Sequence, residues 1–99
     1  MINIVLKDNE VKFIGHAMYD DYGKDIVCAG VSTLLTTTVN AILKFDNNAV
    51  EVVNDKDVIL KIKKKDDITQ KLIENMIEEL NELEEQYPQN IKVKEDNNE

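Results

Sequence analysis

Ninety-nine residues, 42% of them hydrophobic and none of them Trp, suit one small domain whose core is mostly aliphatic. A net charge of −8, from 20 acidic and 12 basic residues, disfavours direct nucleic-acid binding and suits a cationic partner. The single Cys excludes an internal disulfide framework and fits a reducing, cytoplasmic setting.

From the N-terminus, residues 2–7 alternate, with Ile2, Ile4 and Leu6 on one face. No charged n-region precedes them, so no signal peptide is expected. Asp8-Asn9-Glu10 is turn-like, and residues 11–16 return as a second strand that delivers His16 at its end. Residues 17–24 read as a loop with turn chemistry and a permissive glycine. Within it Met18, Tyr19, Asp20, Asp21, Tyr22 and Gly23 are candidates for substrate contact, the alternative being an idle connector.

Residues 26–45 have the periodicity of a long helix, with Asp25 placed as N-cap and Cys28 in the first turn. One face carries Val27, Val31, Leu34, Leu35, Val39 and Ile42. The other carries Ala29, Thr33, Thr36, Thr37, Asn40 and Ala41, with no charge before Lys44. Surface helices normally carry charges opposite their apolar stripe, so packing on both sides is expected, from the other helix or from another subunit. No apolar run is expected to reach the roughly 20 residues of a membrane span.

Asp46-Asn47-Asn48 is a turn, and residues 49–53 and 58–63 form a second hairpin. Lys61, Lys63, Lys64 and Lys65, at its end, protect an edge or solvate a turn. Asp67 with Gln70 is expected to open the next helix as a capping box, which Pro88 ends. Its glutamates are read as a solvated face, not a catalytic set. Residues 91–94 add a short strand, and a charged flexible tail follows the domain, which spans residues 1–95, over residues 96–99. The expected fold is α+β: two layers in the order β-β-α-β-β-α, a mostly antiparallel sheet with two helices and a short C-terminal strand.

The only His and the only Cys flank the loop. An imidazolium beside a thiol favours the thiolate, which is the nucleophile, and free N–H groups at a helix start can hold an oxyanion. On its own the spacing leaves three readings open: a catalytic Cys28–His16 pair, a non-catalytic dimeric assembly or binding module with Cys28 in the core, and a thiol redox switch. One His and one Cys cannot complete a metal site, so none is expected.

Gly15-His16-Ala17, followed by Gly23-Lys24-Asp25-Ile26-Val27-Cys28-Ala29-Gly30-Val31-Ser32, resembles the Prp family of bacterial ribosomal-processing cysteine proteases. Its pattern is G-H-A and then G-x-D-I-V-C-A-x-V-S at similar spacing. Where many relatives have Ala, this chain has Gly30. The resemblance implies a cysteine endopeptidase with Cys28 as nucleophile and His16 as proton donor and acceptor, supported by Gly15, Asp25 and Ser32. It further implies a homodimer without cofactor, which removes the N-terminal extension of a basic ribosomal protein, L twenty-seven of the large subunit, by cutting after an aromatic residue.

Overall fold

Two alternating segments start the sheet. In β1 (Ile2–Leu6) and β2 (Glu10–Ile14) the residues Ile2, Ile4, Val11 and Phe13 turn to one side and are buried. The strands pair antiparallel, Ile4 opposite Phe13 and Leu6 opposite Val11. The computed structural model describes residues 1–15 and 22–96, with residues 22–25 described by their backbone.

Helix α1 (Tyr22–Phe45) follows, then β3 (Val50–Asn54), β4 (Val58–Ile62), α2 (Asp67–Gln86) and β5 (Ile91–Glu95). The sheet order is β3-β4-β2-β1-β5. Three of its pairings are antiparallel, and β1 with β5 is parallel. Both helices pack on the face that carries Ile2, Ile4, Val11, Phe13, Leu60 and Ile91. Into that face α1 sends Val27, Val31, Val39 and Ile42, and α2 sends Ile73, Met76 and Leu80. Lys61, Lys92 and Lys94 stay exposed on the opposite face. The result is a two-layer α+β domain, as the apolar periods of the sequence imply.

Several boundaries differ from the sequence reading. Helix α1 begins at Tyr22, not after Asp25, so Tyr22, Gly23, Lys24 and Asp25 form its first turn. Helix α2 is capped one residue earlier than expected: Asp66 accepts the Thr69 N–H at 2.8 Å. Asp67 is therefore the first helical residue, where its charge suits the helix dipole. Asp96, counted with the tail, donates its N–H to the Leu6 carbonyl at 2.9 Å and lies 3.9 Å from Lys7 Nζ. Residues 97–99 lie outside the described residues.

The lysines after β4 do not guard an edge, because β4 lies between β2 and β3. They line the turn, with Lys63 at 3.4 Å from Glu51, Lys64 at 2.8 Å from Asp46 and Lys65 at 3.2 Å from Asp8. The expectation about apolar runs is also corrected. Ile26–Phe45 is long and apolar enough to cross a membrane by length and composition. Threonines weigh little against so many aliphatic residues, and no charge interrupts the run before Lys44. In this fold its inner stripe belongs to the domain core.

Candidate active site

Strand β2 ends at Ile14, and Gly15 then turns the chain with φ +73°, a left-handed backbone that favours glycine. A Cβ there would also sit 3.0 Å from the Met1 carbonyl oxygen. Gly15 is thus a strand-end bend at which another stretch of backbone comes close. His16, with Ala17, Met18, Tyr19, Asp20 and Asp21, lies outside the described residues. Tyr22 and Gly23, expected in the substrate loop, belong to α1.

The earlier start of α1 moves Cys28 relative to the helix end. It is the seventh helical residue, about 9 Å along the axis from the first at 1.5 Å per residue. Within the helix the N–H groups left free belong to residues 22–24. Asp25 is therefore not the N-cap. The field of the helix start fades within its first turn and is weak at Cys28.

Cys28 is half-buried and packs against the hydrophobic core, while Ser32, one turn later, is exposed. Its flank of α1 follows from its neighbours. Gly30 faces α2, since a Cβ on it would lie 3.6 Å from Leu83 Cδ2. Two helical residues advance about 200°, so Cys28 sits on the flank of α1 turned away from α2. Helix α1 touches β3 and α2 touches β5.

The level along the sheet is fixed too. Leu83 lies one turn before α2 ends, and the chain then enters β5 at Ile91, which pairs with Ile2. Cys28 is thus near the end of the sheet where β1 and β5 begin and β2 finishes at Gly15. At the opposite end of the sheet the Lys63 and Lys64 N–H groups bond to the carbonyl of Ala49, just before β3. Sequence reasoning missed which flank of α1 carries Cys28. The Cys28–Gly30 spacing carried the signal, once the side facing α2 was known.

Two grooves lie elsewhere. One of about 430 Å³ between the helices is lined by Ala29, Gly30, Leu34, Glu79, Glu82 and Leu83. Another of about 310 Å³ lies over Ile62, Ile73 and Ile77. Cys28 lines neither. Among the described residues no three His, Cys, Asp or Glu side chains are grouped to hold a metal ion. What this region offers chemically is a thiol seated on a rigid, core-packed helix, facing the open side of the helix layer.

Residues 1–92 match the family model described as cysteine protease Prp. The ribosomal processing cysteine protease Prp of Staphylococcus aureus is 33% identical over 91 residues, covering 88% of this chain and 86% of that protein. The crystal structure of the essential ribosomal processing protease Prp from S. aureus, in complex with a covalently linked product peptide, superimposes with a TM-score of 0.83. It is 29% identical and covers 97% of this chain and 100% of the other. A Streptococcus mutans structure, 26% identical, gives a TM-score of 0.82 over 98% of this chain and 93% of the other. A match over nearly the whole chain, with the same two-layer fold, makes this protein a cysteine protease of the Prp family.

Proposed function

We propose that this chain is a ribosomal-processing endopeptidase of one domain, residues 1–95, in which Cys28 is the nucleophile and His16 its proton partner. The observation that carries the reading is the single thiol: a chain of a cysteine-protease family has one Cys, and the chain has one His. In the reaction His16 takes the thiol proton as the sulfur attacks the scissile carbonyl. The tetrahedral intermediate collapses to a thioester, and His16 returns the proton to the leaving amine. Water, deprotonated by His16, then releases the acid product and restores the thiol.

The N–H groups around Cys28 are committed to the helix ladder, so the oxyanion takes its donors from elsewhere in the site. Gly15 sets the bend from which His16 departs. Ser32, exposed one turn beyond Cys28, is available to substrate. Asp25, in the first turn of α1, is a supporting residue of that turn. The substrate is the N-terminal extension of a basic ribosomal protein, L twenty-seven of the large subunit, cut after an aromatic residue. The acidic chain suits such a partner. The enzyme works in the cytoplasm as a homodimer, without cofactor and without direct nucleic-acid contact.

Incubation with the extended ribosomal protein, read by mass, tests the reading. Wild type is expected to release the extension. Cys28→Ser should lose at least about 10³-fold in rate, and His16→Ala about 10²- to 10⁴-fold. A folded protein whose thiol resists alkylation and which leaves the extension intact would be a binding module. Peroxide-driven linkage through Cys28, with no cleavage by the reduced protein, would make it a redox switch.

A further inference from the structure

Strand β5 is an edge strand, with β1 on one side and no strand on the other. Its unpaired backbone groups are the kind that recruit another chain. The bonds to β1 identify them. The Ile2 N–H donates to the Asn90 carbonyl and the Asp96 N–H to the Leu6 carbonyl, each at 2.9 Å. With Ile2 opposite Ile91 and Leu6 opposite Glu95, Lys92 and Lys94 turn their groups toward β1. The N–H groups of Ile91, Val93 and Glu95 therefore point outward.

Two of these three donors are taken by the end of α2. The Ile91 N–H bonds to the Tyr87 carbonyl at 3.2 Å, and the Val93 N–H bonds to Glu84 Oε2 at 3.4 Å. Glu84 stands apart from the other glutamates of its helix. Glu74, Glu78, Glu79, Glu82 and Glu85 are exposed and form the solvated face, whereas Glu84 is half-buried and reaches the strand. Lysines act on the other side of β5. Ile91 and Val93 pack toward the helices, and Lys92 and Lys94 are exposed on the opposite face. A second copy added antiparallel about Val93 would set Lys92 of one copy opposite Lys94 of the other, like charges in register.

We propose that Glu84 is a latch on this edge. Its carboxylate occupies the outward Val93 N–H and, with the two lysines, keeps β5 from accepting a second copy of this chain as an added strand. Such an addition needs the Val93 donor at its centre, so the carboxylate must first be displaced. A carboxylate oxygen is a stronger acceptor than the peptide carbonyl that would replace it, and the closed edge is the favoured state.

Amide hydrogen exchange, read residue by residue by NMR, is the first test. In the wild type the Val93 amide is expected to exchange at least about threefold more slowly than the outward amide of Glu95. Equal rates overturn the latch. Glu84→Ala should raise the Val93 rate about threefold to tenfold, the size of one hydrogen bond, while Glu84→Gln, which keeps an acceptor oxygen, stays near wild type. Protection of Val93 that grows with wild-type concentration overturns the proposal, because a second copy would already cover the edge. Sedimentation velocity is the second test. Glu84→Ala combined with Lys92→Thr and Lys94→Thr should form a species larger than the wild type at the same concentration. A folded triple variant that sediments as the wild type does overturns the latch. Should the triple variant unfold, the exchange rates of the wild type and Glu84→Gln decide.

Discussion

Gly15 is a position where a methyl group has nowhere to go. Its φ of +73° and the Met1 carbonyl 3.0 Å from an added Cβ act together. An L-residue held in the left-handed region costs about 1–2 kcal/mol, and the close carbonyl sits one residue before the Ile2 N–H bond to Asn90. Gly15→Ala should therefore lower stability by about 1–2 kcal/mol or slightly more in urea titration. Cleavage should suffer as well, because the proposed proton partner, His16, is the next residue in the chain. An unchanged unfolding midpoint would show that the bend is not needed. The sequence marked the candidates here, since Gly15, His16 and Cys28 stand out by rarity and spacing. What it withheld was geometry: whether a thiol in an apolar stripe faces the sheet, α2 or an open flank depends on which neighbour covers which side.

Element boundaries show the same division between local and non-local information. All seven elements were legible from period and turn chemistry, including β5. The start of α1 was not, because Gly23 and Asp25 resemble a loop and a cap, yet Tyr22 opens the helix. A first turn leaves its N–H groups unbonded in any case, so poor helix formers are tolerated there. Strand order was not legible either, since β2 pairs with β4 and β1 with β5 across long stretches of chain. Within α1, Gly30 is half-buried and has room: an added Cβ makes an ordinary 3.6 Å contact with Leu83. Gly30→Ala should stabilise the protein by about 0.5–1 kcal/mol, the helix-propensity difference, as read from the shift in thermal midpoint.

The joint between α1 and β3 carries a pH signature. Asp46 accepts from Lys64 Nζ at 2.8 Å and from the Asn48 N–H at 2.9 Å. These bonds, the lysine's first, hold its carboxyl below the usual 3.8. A carboxyl depressed on folding stabilises the native state above its unfolded pKa, and that contribution is lost as pH falls through the lower, folded value. Asp46→Asn should thus destabilise at neutral pH, and the difference from wild type should shrink as acid unfolding is followed below pH ~4. A constant difference across that range would show that the carboxylate charge is not what stabilises the turn.

Seen as a whole molecule, the domain separates its chemistry by side. The outer surface of α2 exposes Glu74, Glu78, Glu79, Glu82 and Glu85, whereas α1 exposes Ile26, Ala29, Thr33, Thr36, Thr37 and Asn40. The covering expected for that second side of α1 is not supplied by α2 or by the sheet. Ile26 is 61% exposed in the single chain. An uncharged helix face beside a strongly acidic one matches the proposed homodimer, because two acidic surfaces would repel and two neutral ones would not. This strip is centred about a third of a turn from Cys28 on α1, so pairing through it leaves the Cys28 flank of the helix outside the contact. Thr36→Glu would bring like charges together across a two-fold axis. Its dimer should dissociate with a Kd at least about tenfold higher by sedimentation velocity, with the monomer still folded by circular dichroism. A wild-type chain that sediments as a monomer at all concentrations, or a Thr36→Glu dimer as tight as wild type, would move the contact off this helix.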